Sequence, residues 1–457
     1  MLGIFALIIS AVVAIGATMI FTRRTNNAEK FNVADRNIGV ALGAVSIAAN
    51  WVWAPSLFVS AERAYVTGMP GMFWFLVPNV LCLIIFIPFA KRMRGHLPDG
   101  ITLSDYMGRH YRSRKVQGIY QFQLGSLAVL SASVQLLAGS KMVSLITGLP
   151  VLAVSVALAA IAFTYAQFSG IKASVTADVA KIAVLFVGFV LLLPMAFGAS
   201  GGVATLVKGL GGATGEYTEL FSGKGVDVLF SFGLPTAIGL LSGPFGDQSF
   251  WQRSFAIRKK SVGRAFAAGA LIFALVPISM GSIGFLAAGA GFAASDTGVV
   301  NLEYILATLP QWVMVPFLFM VIAGLLSVVG SNLCAAASLI SDKTREVGKA
   351  RAGMAVLLVI AVAVANIPGL TVTHLFLFYG TLRASTLLPT IMTLLGKRLC
   401  ARAVFCGILV SLCVGLPIFA YGNIFNDSLC KTVGSLTTVT MSGLVAVLAS
   451  RKEAQRA

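Results

Sequence analysis

Long apolar stretches alternate with short polar segments along the whole chain. A helix that crosses a bilayer needs about 20 predominantly apolar residues. The pattern predicts about 13 such helices, so the expected fold class is an all-α polytopic membrane protein. The predicted spans are residues 3–21, 38–61, 70–90, 116–139, 150–167, 178–199, 228–247, 263–290, 312–340, 350–366, 370–396, 401–421 and 432–449.

The composition is that of a membrane protein, and it argues against nucleic-acid binding, a zinc site and a disulfide framework. The chain is 58% hydrophobic and only 11% charged, whereas a typical soluble domain is about 25% charged. The net charge of +18 does not indicate nucleic-acid binding, because the basic residues cluster in short segments between the apolar spans. The six cysteines have neither zinc-ligand nor disulfide-framework spacing. We therefore predict no cofactor.

The basic residues predict an orientation. If the N-terminus lies outside, most of the 34 Lys and Arg residues fall in segments on the inside, Lys181 and Arg253 among them. Cytoplasmic loops of membrane proteins carry such an excess. No positive charge precedes the first apolar run, which favours an uncleaved helix over a signal peptide. We expect a multi-pass cell-membrane protein with its C-terminus in the cytoplasm.

Two of the predicted spans are interrupted near their middle. Residues 38–61 contain Pro55, and residues 228–247 contain Gly243 and Pro244. A proline inside a helix removes a backbone donor, and the freed groups are tolerated in a membrane where they line a cavity. The two spans are five apart, so they cross in opposite directions. Paired interrupted helices are typical of inverted-repeat transporters, whose substrate site lies at the breaks.

Several segments resemble the sodium/solute symporter family. They are NWVWAPSLFVSAERAYVTGMPGMFWF, GITLSDYMGRHYRSR, FSGIKASVTADVAKIAV and DQSFWQRSFA. The W-x-W-A run in the first is similar to the urea active transporter branch. The resemblance implies a LeuT-type fold of five plus five inverted helices, with these parts: an extra helix and cytoplasmic loop in 1–37, repeats at 38–199 and 228–396, an external loop at 200–227, and two further helices and a basic tail in 397–457.

The resemblance also implies a sodium site between the first and eighth core helices. Its ligands would be the carbonyl oxygens of Val45, Ala48 and Gly324 and the hydroxyl of Ser327. Asp178 would lie on the inward ion-release path. From the residues alone, Ser327 can instead bond its own helix, and Asp178 can cap a helix.

One position departs from the family's ion site. Val328 stands where many members carry a second hydroxyl, so one ligand oxygen is missing. The coupling ion is therefore left open between sodium and a proton.

The candidate solute site gathers polar and aromatic residues of the interrupted helices and their neighbours. A charged residue inside a span is costly and indicates function, and residues four apart share a helix face. The predicted solute contacts are Asn50, Trp51 and Trp53 at the first break, Ser242 at the second, Gln135 in the third core helix, and Tyr379 and Arg383 in the tenth.

Arg383 has two interpretations. It can bind a carboxylate on the solute through a bidentate fork, or it can be structural and pair with an acid such as Glu62. A urea-like solute would instead need the amides of Asn50 and Gln135 and aromatic walls. The sequence leaves a urea-like solute and a small carboxylate or amino acid as alternatives.

The leading hypothesis is a secondary active symporter that moves a small polar solute with a cation across the bilayer. A passive facilitator is an alternative, although the paired breaks disfavour an open pore. A transporter-like sensor and a membrane-embedded enzyme are less favoured. The chain shows no HExxH or GxSxG motif and no pair of carboxylates within a span, so we predict no enzymatic activity.

Overall fold

The computed structural model describes residues 25–344 and 346–455, together with residues 8, 9, 12 and 16. Within these residues, eleven helices are long and apolar enough to cross a membrane. The predicted all-α membrane fold is thereby confirmed, whereas the count of 13 remains a prediction. The first predicted span, 3–21, lies almost entirely outside the described residues.

The helices of the first half include two long ones that follow the first break. In chain order they are α1 Ala28–Val33, α2 Val40–Trp51, α3 Ala54–Leu57, α4 Val59–His96, α5 Leu103–His110, α6 Arg114–Thr147, α7 Val151–Ser169, α8 Ile171–Ala199 and α9 Gly202–Lys208.

The helices of the second half contain the second break between α11 and α13. In chain order they are α10 Gly223–Val228, α11 Leu234–Leu241, α12 Gly243–Gly246, α13 Gln248–Ala256, α14 Val262–Gly289, α15 Val300–Thr308, α16 Met314–Thr344, α17 Val347–Ala365, α18 Val372–Ala384, α19 Leu387–Leu394, α20 Ala401–Val410, α21 Leu416–Ile424 and α22 Ser428–Ala454.

The first break lies where the sequence predicts it. The helix α2 ends at Trp51, and the backbone is not helical at Val52 (ψ 83°) and is extended at Trp53 (ψ 173°). Pro55 then occupies the first turn of α3, where its missing N–H costs no hydrogen bond. The proline therefore restarts the helix after the break rather than kinking it from within.

The second break has the same design. The four-residue helix α12 carries Pro244 in its first turn and ends at Gly246, and the backbone of the next residue, Asp247, is extended (φ −115°, ψ 113°). The Asp247 carboxylate then caps α13 by accepting from the N–H of Ser249 at 2.9 Å. A Cβ at Gly243 would lie 2.5 Å from the ring of Trp51, so the two breaks are in direct contact.

The helix α8 begins earlier than predicted. Its first residue is Ile171 rather than residue 178, because α7 and α8 are joined at Gly170. Gly170 has a φ of +59°, and a Cβ there would lie 2.1 Å from the carbonyl oxygen of Phe31, so only glycine fits this turn.

The charge pattern placed Lys181 and Arg253 in inside segments, but the structure shows both buried within helices. They are 6% and 1% exposed. Lys181 lies ten residues into α8, and Arg253 lies in α13, which continues the interrupted helix.

The helices that carry the breaks pack in the centre of the molecule. The long helix α16 contacts α6 and α8, while α2 packs on α8 and on α14. Two backbone hydrogen bonds also join the chain before α2 to the end of α13: the N–H of Ile38 donates to Ala256 (3.1 Å), and the N–H of Arg258 donates to Ile38 (3.0 Å). The two interrupted helices are thus tied together near one end.

Candidate solute and ion sites

An aromatic cage surrounds one arginine at the breaks. The rings of Trp51 and Trp53 stack with centroids 5.7 Å apart and planes inclined by 20°. The guanidinium carbon of Arg383 lies 5.1 and 5.3 Å from these two ring centroids and 3.7 Å from that of Tyr379. Such distances are within the range of cation–π attraction. The predicted shared face of Tyr379 and Arg383 is present.

Arg383 has an acidic partner that the sequence interpretation did not name. Its Nη2 lies 3.1 Å from Oδ2 of Asp247 and also donates to the Tyr379 hydroxyl, which itself donates to the same Oδ2 at 2.9 Å. The suggested partner Glu62 instead pairs with Arg63 at 2.5 Å and accepts from the Thr373 hydroxyl at 2.8 Å. Glu62 as the partner of Arg383 was therefore wrong.

Among the described residues, three hydrogen-bond donors in the cage have no partner. Nε and Nη1 of Arg383 and Nε1 of Trp53 are buried and unbonded among the described residues. Leaving a buried donor unsatisfied costs about 1–3 kcal/mol, and more for a charged group. Gly243 lets the Trp51 ring and Arg383 pack closely against its backbone, because a Cβ there would lie 2.5 Å from the ring and 3.2 Å from Nη1 of Arg383. The cage can therefore accept a ligand that brings hydrogen-bond acceptors.

The other predicted solute contacts bond to protein groups. Gln135 accepts from the N–H of Ala54 at 2.6 Å and so satisfies a backbone donor that the first break leaves free. Asn50 donates to the hydroxyl of Ser249 at 2.8 Å. The Ser242 hydroxyl donates to carbonyl oxygens of its own helix. These three side chains hold the breaks in shape, whereas the free donors belong to Arg383 and Trp53. A solute role for the predicted set stays a prediction.

A second buried ion pair lies at the predicted ion site. The Asp178 carboxylate accepts from Ser327 through Oδ1, and through Oδ2 from Ser46 at 2.7 Å and from Arg253 at 3.3 Å. Asp178 is completely buried and Arg253 is 1% exposed. Ser327 and Asp178, two residues that the family resemblance links to the ion, are therefore in contact. The positively charged side chain of Arg253 lies next to them.

Each nitrogen of the Arg253 guanidinium donates a hydrogen bond. Nη2 donates to Ser331 at 2.7 Å, Nε donates to the Ser46 hydroxyl at 2.9 Å, and Nη1 donates to the carbonyl oxygen of Ser249 at 3.2 Å. All three nitrogens have partners, whereas in Arg383 only Nη2 has one among the described residues.

The remaining predicted ion ligands surround the same region. Gly324 faces the first break, since a Cβ there would lie 3.2 Å from Leu57 and 3.7 Å from Val52. The carbonyl oxygen of Ala48 accepts the N–H of Val52 at 2.8 Å. Val45 lies one turn before Ala48 in α2, and Val328 is buried at 3% exposure and has no oxygen in its side chain. Ion binding by these atoms remains a prediction.

Three charged residues near the sites were missed from the sequence. Asp247 directly follows the second break, and an acid at that position was a readable signal. Arg253 follows Asp247 by six residues and lies in α13. Lys181 lies three residues after Asp178, on the same face of α8. Counting Lys181 and Arg253 with the inside segments concealed their contribution to the interior.

The comparison with protein families decides the class. The sequence model of the sodium:solute symporter family matches residues 31–415, which is most of the chain. The chain belongs to the sodium:solute symporter family. The predicted family is confirmed, and with it the assignment to transporters rather than enzymes.

Curated relatives of this family member are similar at low identity. A probable urea active transporter from Schizosaccharomyces pombe is 23% identical over 283 residues, which cover 59% of this chain and 42% of the relative. A urea-proton symporter from Oryza sativa subsp. japonica is 25% identical over 497 residues, covering 96% of this chain and 68% of the relative. The Escherichia coli sodium/pantothenate symporter is 24% identical over 302 residues, covering 62% of this chain and 60% of the relative. The chain spans about two fifths of the length of the fission yeast relatives.

Solved structures support the fold. A sodium-coupled sialic acid symporter in a substrate-bound outward-open state aligns with a TM-score of 0.79, at 16% identity and 98% coverage of both chains. The crystal structure of MhsT in complex with L-phenylalanine aligns with a TM-score of 0.57, at 12% identity, over 89% of this chain and 97% of that one. The chain therefore has a LeuT-type fold.

Proposed function

We propose that the protein is a secondary active symporter that moves a small, neutral, urea-like solute together with a cation by alternating access. The observation that carries the proposal is the balanced charge of the solute cage. Arg383 is neutralised by Asp247, yet its Nε and Nη1 and the Nε1 of Trp53 are free to donate.

The charge balance favours a neutral solute over a carboxylate. A carboxylate would bring a second negative charge next to Asp247 in a buried site, and burying an unpaired charge is costly. A planar amide presents a carbonyl oxygen to the free donors of Arg383 and Trp53, and its N–H groups suit the Asp247 carboxylate. Its flat faces suit the tryptophan rings. The names of the urea-transporting relatives support the same solute class.

The proposed mechanism uses the two halves of the fold. A core bundle drawn from the repeats at residues 38–199 and 228–396 would rock against the remaining helices around the paired breaks, with the N-terminus outside and the C-terminus cytoplasmic in the cell membrane. Half-helix ends at such breaks supply polar backbone groups for ion and solute. Because ion and solute stabilise the same state, each raises the affinity of the other.

Two lines of support bear on the coupling cation and they differ. Membership of the family and the sodium-coupled structural neighbour support sodium. The name of the rice relative supports a proton. Sodium at the predicted ligands Val45, Ala48, Gly324 and Ser327 is one form of the proposal, and a proton is the other.

Uptake by the purified protein in liposomes tests the function. Labelled urea is offered with an inward sodium gradient, with an inward proton gradient, and with neither, and small carboxylates and amino acids are run in parallel. Accumulation of urea above equilibrium under either gradient is the expected result. Equilibration that ignores both gradients would indicate a facilitator. Accumulation of carboxylates alone would make Arg383 an anion anchor and reject the neutral solute.

A further inference from the structure

A lysine lies buried in the membrane-spanning part of α8. Lys181 is 6% exposed, and a cation at this depth is costly unless it has a function or a partner. Its ammonium donates to the hydroxyl of Tyr165 at 3.1 Å and lies 4.4 Å from the centroid of that ring. Among the side chains that the structure describes, no carboxylate forms an ion pair with Lys181.

The lysine is connected to the predicted ion site. The Tyr165 hydroxyl that accepts from Lys181 donates in turn to the carbonyl oxygen of Leu326, which immediately precedes Ser327. On its own helix, Lys181 follows Asp178 by three residues and so lies near it on one face. The groups with which Lys181 interacts electrostatically are Asp178 on α8, Tyr165 on α7, Cys334 on α16 and Arg253 on α13.

The charged groups of this region disfavour the binding of a sodium ion. Asp178 supplies one negative charge, and Arg253 pairs with it at 3.3 Å. Once Lys181 is charged, the cluster has a net positive charge. A sodium ion would add a further positive charge in a medium of low dielectric constant, where repulsion is strong. The Ser327 hydroxyl also donates a hydrogen bond to the Asp178 carboxylate, and the side chain of Val328 has no oxygen.

We propose that Lys181 is the binding site of the coupling ion and that this ion is a proton, an inference that rests on the proposed symport function. A proton from the external solution adds to the lone pair of the Nζ amine and forms the ammonium. After the change of access the ammonium returns that proton to the cytoplasmic solution, and the neutral amine remains. Lysine suits this exchange because burial destabilises its charged form.

The tyrosine gives the two protonation states different hydrogen bonds. The ammonium can only donate, so Tyr165 accepts from Lys181 and donates to Leu326, as observed. A neutral amine can accept, so the same hydroxyl can turn towards Nζ and release the Leu326 carbonyl. The protonation state of Lys181 thereby changes a hydrogen bond to α16 at Leu326, next to Ser327.

Replacement of Lys181 in reconstituted protein tests the proposal. We expect wild-type protein to accumulate labelled urea under an inward proton gradient without sodium, and urea to acidify liposomes that contain a pH-sensitive dye. Lys181→Gln removes the charge and Lys181→Arg makes it permanent. Both should abolish accumulation and acidification while urea still exchanges for labelled urea across the membrane without a gradient. The exposed Lys172, on the same helix, provides the control Lys172→Gln, which should match wild type.

A third variant guards against a folding defect. Lys181→His restores a titratable group of lower intrinsic pKa, so acidification should return with its pH dependence displaced to lower pH. A folded, exchange-competent histidine variant without proton movement would overturn the proposal, as would proton-driven accumulation by Lys181→Gln. Urea accumulation driven by sodium alone would also overturn it while leaving the symport function intact. Urea that never exceeds equilibrium in wild type would reject the symport function itself.

Discussion

Two buried Arg–Asp pairs lie at the centre of the molecule, and they differ in how completely they are satisfied. In each pair Nη2 of the arginine faces Oδ2 of the aspartate, at 3.3 Å for Arg253–Asp178 and 3.1 Å for Arg383–Asp247. Every nitrogen of Arg253 has a hydrogen-bond partner. Nε and Nη1 of Arg383 have none among the described residues.

This difference separates a structural role from a recognition role. A buried donor without a partner is destabilising, so native proteins satisfy nearly all of them, and the exceptions need an explanation. Serine hydroxyls and a backbone carbonyl surround Arg253, which therefore neutralises Asp178 and joins helices. Aromatic faces surround Arg383, and in the proposed function the donors that have no partner among the described residues bind an acceptor of the solute.

Ser249 connects the two pairs. Its carbonyl oxygen accepts from Arg253 at 3.2 Å, and its hydroxyl donates to Oδ1 of Asp247 at 2.6 Å. A shift of α13 that alters one pair must therefore alter the other. A contiguous hydrogen-bonded connection of this kind offers a physical route for coupling between ion and solute.

The largest effect is expected from Asp247→Asn. The substitution leaves the Arg383 guanidinium buried without a counter-ion, and breaking a buried pair in this way costs about 3–5 kcal/mol. We expect no detectable urea uptake and a clear fall in the midpoint of thermal unfolding. The exposed helix cap Asp427 provides the control Asp427→Asn, which should transport normally. Unchanged urea affinity in Asp247→Asn would remove Asp247 from the solute site.

Asp178→Asn should separate ion coupling from solute binding. Arg253 keeps Ser46, Ser331 and the Ser249 carbonyl as partners, so the loss of thermal stability should be smaller than for Asp247→Asn. We expect urea binding to persist, measured by scintillation proximity, while accumulation driven by an ion gradient is lost. A collapse of urea affinity equal to that of Asp247→Asn would show that the two pairs form one site.

The two stacked tryptophans offer a matched pair of variants. Nε1 of Trp53 has no partner among the described residues, whereas Nε1 of Trp51 donates to the carbonyl oxygen of Asn79 at 3.0 Å. Trp53→Phe should weaken urea binding by about 1 kcal/mol, roughly a fivefold rise in Kd. Trp51→Phe should lower thermal stability with little change in Kd. Equal Kd values for the two variants would contradict a solute contact by Trp53.

Much of the framework could be predicted from the sequence. Proline and glycine inside apolar spans located both breaks, and the four-residue spacing of Tyr379 and Arg383 placed them on one face. These are local signals, and local backbone chemistry is what a single sequence encodes most directly.

The pairing of charges could not be predicted, because it depends on contacts between residues far apart in the chain. Asp247 and Arg383 are 136 residues apart, and nothing in either segment selects the other over Glu62. The charge count places Lys181 and Arg253 with the inside segments, although Lys181 falls within the predicted span 178–199, because counting basic residues by side of the membrane treats each one near a span end as exposed. The early start of α8 at Ile171, enforced by Gly170, moved Lys181 into the interior.

Ser242→Ala should have the smallest effect and tests how far position alone predicts function. Its place at the second break made Ser242 a predicted solute contact. Its hydroxyl, however, donates to the carbonyl oxygens of Ile238 at 2.8 Å and Gly239 at 2.9 Å, in its own helix. Hydroxyls in membrane helices commonly bond in this way, so removing this one takes nothing from the cage. We expect the Kd for urea to change less than about twofold, well below 1 kcal/mol. A tenfold rise would mean that the hydroxyl turns to the solute during transport, and the free donors of Arg383 and Trp53 would then not be the whole recognition set.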